Sequence, residues 1–212
     1  GGALSRPPGR WSQAVRGRMP EFTVQGLSNV LNAYARLQAA DLELFGAVAE
    51  RLESCRPEAY GEQEAANVLN ACARLGFESE SLVRFLERDV LVRLLPAFTS
   101  QGLANTALAL GRLPHSHHAA ERLTQECFRR VASTGRNGGW AEPHHMINTM
   151  FAFALFGLRS NSATAGRYSS LITGMLRALL VLVGPQRRVS PEAMSQLYAV
   201  LVDLVVVRRD GA

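Results

Sequence analysis

The chain has 212 residues, 47% of them hydrophobic, enough to bury a sizeable core and too apolar for a mainly disordered polypeptide. Its 23 basic residues are all Arg and face 18 acidic ones, a formal charge of +5 that is compatible with a polyanionic partner without demanding one. The lack of Lys excludes P-loop phosphate binding, the protein-kinase strand lysine and pyridoxal-phosphate Schiff bases.

Residues 1–21 read as a basic N-terminal flank or a truncated preceding repeat. GGALSRPPGRWSQAVRGRMP carries four Arg and no acid before Glu21, like the flank of an Arg-rich transit segment, and Trp11 to Met19 has the pattern of a second helix. From residue 22 onward one segment recurs. Gln25 to Gln38 is QGLSNVLNAYARLQ, Gln63 to Gly76 is QEAANVLNACARLG, and Gln101 to Pro114 is QGLANTALALGRLP, the first two sharing nine of 14 positions. Weaker copies run from His144 to Gly157 and from Glu192 to Val205. The anchors Asn29, Asn67, Asn105, Asn148 and Gln196 are spaced by 38, 38, 43 and 48 residues.

Between the copies lie second apolar-periodic segments, Leu42 to Leu52, Ser81 to Leu95, Ala119 to Val131 and Arg167 to Val183. Each unit is therefore helix, turn, helix. Gly76, Pro114 and Gly157 stand where first helices should stop. The loops are expected at Ser133 to Glu142, Arg159 to Gly166 and Gly184 to Ser190. A helix pair this short cannot bury its apolar face alone, so the expected fold is all-α, an α-solenoid of about five stacked helix-turn-helix repeats forming a single domain over 22–212. Cys55, Cys72 and Cys127, odd in number and set among apolar residues, read as reduced core positions, implying an intracellular or organellar compartment. The apolar stretches Met146 to Leu158 and Leu171 to Val183 are each 13 residues, too short for a membrane span, so no membrane insertion is expected.

At about 100° per residue, Leu27, Val30, Leu31, Tyr34 and Leu37 share one side of the first copy, and Ala65, Val68, Leu69, Cys72 and Leu75 share that side of the second; this is the core. Ala33, Ala35, Ala71, Ala73, Ala109, Gly111, Ala152 and Ala154 are small residues at fixed offsets, suited to close helix approach. The opposite side carries Gln25, Ser28, Asn29, Asn32 and Arg36 in the first copy, Gln63, Ala66, Asn67, Asn70 and Arg74 in the second, and Gln101, Ala104, Asn105, Leu108 and Arg112 in the third. Amides read base edges and Arg grips phosphate with a planar fork, whereas a plain solvated face is the other reading of such a stripe. The constant anchors are expected to be structural, bonding a neighbouring backbone, and the variable positions one before and three after them to carry specificity. The fourth copy breaks the stripe with His144, Ile147, Asn148, Phe151 and Leu155. Phe151, Phe153 and Leu155 are therefore candidates for docking a protein.

The period and the pattern NVLNAYARLQ or NVLNACARLG resemble octotricopeptide repeats and the related heptatricopeptide, RAP-associated arrays, over roughly Phe22 to Val205. The resemblance implies an α-solenoid that binds, processes or stabilises RNA in mitochondria or plastids, sometimes as part of a mitochondrial ribosome. Partners would be RNA, ribosomal RNA or an organellar transcript, and other proteins of a ribonucleoprotein complex. The chain departs from the pattern in lacking a Pro cluster before its first helices, apart from Pro143 and Pro191, and in having Asn32 and Asn70 where an aromatic is typical. It has no recognisable RAP domain.

Further candidates are Arg136 and Trp140 in GRNGGW, as a loop that stacks on an unpaired base or as a plain connection, and the basic pairs Arg187, Arg188 and Arg208, Arg209, touching RNA or merely solvated. His115, His117, His118, His144 and His145 lack nearby Cys or carboxylate partners and read as solvated loop histidines, with no metal and no cofactor expected. No nucleophile motif is present, so binding rather than catalysis is expected.

Overall fold

A computed structural model of the chain describes residues 9–39, 41–114, 119–133, 140, 142–160, 162–183 and 190–202. Among these residues the structure is all-helical, without strands. The helices are α1 (Arg10–Gly17), α2 (Val24–Leu37), α3 (Leu42–Glu53), α4 (Glu62–Leu75), α5 (Glu80–Phe85), α6 (Leu91–Leu94), α7 (Ser100–Arg112), α8 (Ala120–Ala132), α9 (Pro143–Leu158), α10 (Ser162–Val183) and α11 (Pro191–Val202). A π turn over Leu86–Val90 joins α5 to α6 into one second helix. The chain divides into two compact units, Gly1–Leu94 and Leu95–Ala212.

Helix starts follow from local chemistry at repeated positions. Thr23 and Thr99, each six residues before its anchor, accept from the N–H of Gly26 and Gly102 at 3.1 and 3.0 Å, capping α2 and α7. At the same position α4 has Gly61, whose N–H donates to Glu64 Oε2 at 3.1 Å. One residue earlier stands an aromatic, Phe22, Tyr60 or Phe98. The Tyr60 hydroxyl donates to the Leu52 carbonyl at 2.7 Å, and its burial pushes its pKa up.

Helix stops agree in part with the expected signals. Gly76 ends α4 with φ +61°, the left-handed geometry that closes a helix when Phe77 N–H reaches the Cys72 carbonyl at 3.0 Å. Gln38 takes the same position and conformation after α2, at φ +52°. Before Pro114 the chain turns extended at Leu113, as a residue preceding Pro must. Gly157 does not stop its helix, because it is buried inside the last turn of α9. The expected loop Arg159 to Gly166 is also corrected, since α10 begins at Ser162. Thr164–Val183 is consequently long and apolar enough by length and composition to cross a membrane, but Leu171, Ile172, Met175 and Leu179 are buried where α10 packs on α9 and α8.

Within the N-terminal unit the helices form two layers, first helices α2 and α4 side by side, and second helices α1, α3 and α5 in succession. Within the C-terminal unit α7, α9 and α11 form the first-helix layer and α8 and α10 the second. Small residues set the spacing. A Cβ on Gly111 would lie 3.0 Å from the Ala152 carbonyl oxygen and 3.1 Å from its Cα, so α7 and α9 approach backbone to backbone. Gly111 stands six after its anchor and Ala152 four after. Ala35 and Ala71 hold these offsets on α2 and α4, and both are buried.

Two second helices are tied back to their own repeat by an Arg near their end. Arg93 donates to the carbonyls of Pro57 and Tyr60 at 2.5 and 3.4 Å, and Arg130 to that of Phe98 at 2.5 Å. The core contains Leu27, Leu31, Leu69, Leu86, Leu103 and Phe153, as apolar periodicity requires. Leu37, read as core, is 77% exposed, because it lies at the end of the α2 flank that carries no neighbouring first helix. All three thiols are free. Burial pushes Cys72 up to about 12 and raises Cys127, while Cys55 is half-buried against the Arg51 carbonyl.

Candidate nucleic-acid interface

The first helices display side chains four before the anchor, at the anchor, and three and seven after it, all within about 60° of one another at 100° per residue. On α2 and α4, which pack together, Gln25, Gln63, Arg36 and Arg74 are exposed, as is Asn29, while Asn67, Asn32 and Asn70 are half-exposed. On α7 the same positions place Gln101, Asn105 and Arg112 in solvent, with Leu108 half-buried.

Among the described residues, the side chains of Gln25, Asn32, Gln63, Asn70 and Gln101 make no intramolecular hydrogen bond. The anchors behave likewise. Among the described residues Asn29, Asn67, Asn105 and Asn148 make no hydrogen bond to a neighbouring backbone, contrary to the structural role expected of them. Asn29 and Asn105 are exposed and Asn67 and Asn148 half-exposed, so the anchors join the candidate surface.

Among the described residues, some Arg of the second helices are paired with a carboxylate, while others, such as Arg88 and Arg122, are not. Arg16 pairs with Glu43, Arg84 with Glu80, Arg129 and Arg130 with Glu126, and Arg167 with Glu121. Arg36, Arg74 and Arg112 have no such partner among the described residues. Each sits in the last turn of its helix, where its charge also faces the negative end of the helix dipole. A guanidinium held there, with no carboxylate to neutralise it, can take a phosphate.

The position one before the anchor does not belong to this face. Ser28 is 1% exposed and donates to the Gln25 carbonyl at 3.0 Å, and Ala66, Ala104 and Ile147 are buried at the equivalent place. It lies about 100° from the anchor, on the flank turned into helix packing, so Ser28 is removed from the candidate contacts. Trp140 is corrected too. Its ring is 3% exposed with an unpartnered Nε1, so it is a buried anchor of the segment before α9 and does not stack on a base. Arg136, Arg187, Arg188, Arg208, Arg209, His115, His117 and His118 lie outside the described residues.

On α9 the matching face is different. His144 is exposed, and Asn148, Phe151 and Leu155 are half-exposed, so apolar groups stand where α2 and α4 carry Asn and Arg. Phe153, a docking candidate from sequence, is fully buried in a cluster with Phe156 and Tyr168, at ring distances of 5.7 and 5.5 Å, and is core. His145 is also buried. Burial first, then the neighbouring His144, lowers its pKa, so its ring is neutral, with Nδ1 unpartnered. Among the described residues no group of His, Cys, Asp or Glu is placed to hold a metal ion.

Sequence reasoning missed two repeated features, the capping Thr at the helix starts and the Arg that returns to the carbonyl before its own first helix. The Thr were legible as one residue type at a fixed offset, Thr23 with Thr99, whereas Arg93 and Arg130 stand 26 and 25 residues after their anchors and share no offset. No protein-family model and no curated protein matches the chain.

Proposed function

We propose that the chain is an organellar RNA-binding helical-repeat protein, an α-solenoid of about five helix-turn-helix repeats whose first helices bind RNA. The observation that carries this reading is the exposed face of uncommitted amides ending in Arg36, Arg74 and Arg112, repeated at the same offsets on three helices. Arg holds phosphates, the Asn and Gln amides contact sugars and base edges, and the protein acts by binding, without catalysis. The resemblance to octotricopeptide arrays supports a place in the mitochondrion, or a plastid, as a ribosomal component or a factor that stabilises or matures ribosomal RNA.

The test is fluorescence anisotropy with labelled organellar ribosomal RNA fragments across a salt series. The wild type should bind with an affinity that falls steeply with salt, and Arg36→Ala with Arg74→Ala and Arg112→Ala should weaken it at least about tenfold and flatten the slope by about two to three. Absence of binding, or a slope unchanged in the triple variant, overturns the reading.

A second reading is favoured by Phe151 and Leu155, half-exposed where other repeats are polar, together with the exposed Leu158, Leu180 and Val181. In it the protein is a scaffold subunit whose C-terminal unit docks another protein. Its association would depend little on salt and would be lost in Phe151→Asp.

A further inference from the structure

Two first helices of the C-terminal unit present their accessible side chains in single file. On α7, after the entering Ser100, only Gln101, Asn105, Leu108 and Arg112 reach solvent. On α9 only His144, Asn148, Phe151, Leu155 and Leu158 do, and every other residue of the two helices is buried. The two files come closest at Gly111 and Ala152, where a Cβ added to Gly111 would lie 3.1 Å from the Ala152 Cα. Arg112 and Phe151 are the chain neighbours of that pair. A guanidinium and an aromatic ring therefore leave the surface on either side of the point where the two backbones touch.

This is also where the face departs from that of the N-terminal unit. The same two offsets there hold Arg36 on α2 and Asn70 on α4, a cation with an amide. On α7 and α9 the cation is kept and a half-exposed ring replaces the amide. Charge is segregated around it. Neither α7 nor α9 contains an Asp or Glu. The acids of α8 lie in the other layer and are paired, Glu121 with Arg167 and Glu126 with Arg129 and Arg130.

These groups match the parts of one nucleotide. A flat ring open to solvent takes the face of an unpaired base, a cation on the next helix takes a phosphate, and the amide of Asn148, one turn from Phe151, takes the ribose or a base edge. A protein partner would call for a broad apolar patch with a polar rim, whereas α9 offers an apolar line one side chain wide.

We propose that Phe151 is a base-stacking platform which, with Arg112 and Asn148, takes one unpaired nucleotide of the bound RNA and favours a purine. The inference rests on the RNA-binding reading above. The purine preference follows from the larger face that a purine lays on the ring, so Phe151 senses the size of a base where Asn70 would sense its hydrogen-bonding edge.

The test is anisotropy with two single-stranded probes, an oligouridine of about 12 nucleotides and the same strand with one central adenosine. Wild type should bind the adenosine strand at least about threefold more tightly. Phe151→Leu, which stays apolar, should abolish that difference, whereas Phe151→Tyr, which keeps a ring, should retain it, with thermal melting of each variant checking the fold. Arg112→Ala should instead weaken both strands together and lower the salt slope by about one. Equal affinity of wild type for the two strands, or a preference that survives in Phe151→Leu, overturns this inference and leaves RNA binding standing. Binding of neither strand, together with none to the ribosomal RNA fragments, overturns both.

Discussion

Arg130 is almost fully buried, and its guanidinium is held between the Glu126 carboxylate at 2.6 Å and the Phe98 carbonyl at 2.5 Å. Burial alone would raise the pKa of Glu126, but the hydrogen bonds and charges of Arg129 and Arg130 outweigh it and hold the carboxyl below its ordinary range. Arg130→Met leaves that carboxylate buried without its inner partner. Because Arg129 still holds both carboxylate oxygens, urea unfolding should show a loss of about 1–3 kcal/mol. Because the folded pKa of Glu126 is depressed, its contribution is present above the unfolded carboxylate value and is lost as pH falls through the folded one. Glu126→Gln should accordingly flatten the acid limb of a stability–pH curve. His145 acts with the same sign at higher pH. Its buried ring resists a proton that the unfolded chain accepts, so stability falls as pH drops below about 6.5, and His145→Leu should remove that part of the fall.

Two helical glycines show how an element's surroundings decide the sign of one methyl group. Gly46 in α3 has nothing within 4 Å of an added Cβ, so Gly46→Ala should stabilise the protein by up to about 1 kcal/mol through helix propensity. Gly111 in α7 faces the Ala152 backbone at 3.0 Å, and backbone cannot swing aside as a flexible side chain does. There Gly111→Ala should destabilise by about 1–3 kcal/mol despite the same gain in propensity, as thermal or urea unfolding of the two variants would reveal. Sequence spacing marked Gly111 as a close-approach position. How close that approach is rests on what stands opposite, which spacing does not give.

At the scale of the molecule, the layered stacking within each unit turns a sequence repeat into a surface repeat. Under the proposed RNA reading, Arg contributes affinity through phosphate and Asn through sugars and bases, and the two separate experimentally. Asn32→Ala with Asn70→Ala should lower RNA affinity or shift preference among RNAs while leaving the salt slope as it was, in contrast to the Arg variants. A slope that changed with the Asn pair would mean that those amides hold phosphate instead.

Most helices were legible from the spacing of apolar residues, because burial of one face imposes a 3.6-residue period that survives wherever that face packs. The frame of the first three copies followed from two equal 38-residue anchor spacings, and the exposed row of Gln25, Arg36, Gln63 and Arg74 from angular position alone. What the chain could not announce were the flanks. Ser28 looked outward by composition and is buried, Leu37 looked inward and is exposed, and Phe153 and Trp140 looked like contact residues and are core. A side chain near the edge of a helix face is covered or bared according to whether a neighbouring helix lies there. That neighbour is supplied by residues far along the sequence, so periodicity sets which side of a helix is apolar while packing sets how wide that side becomes.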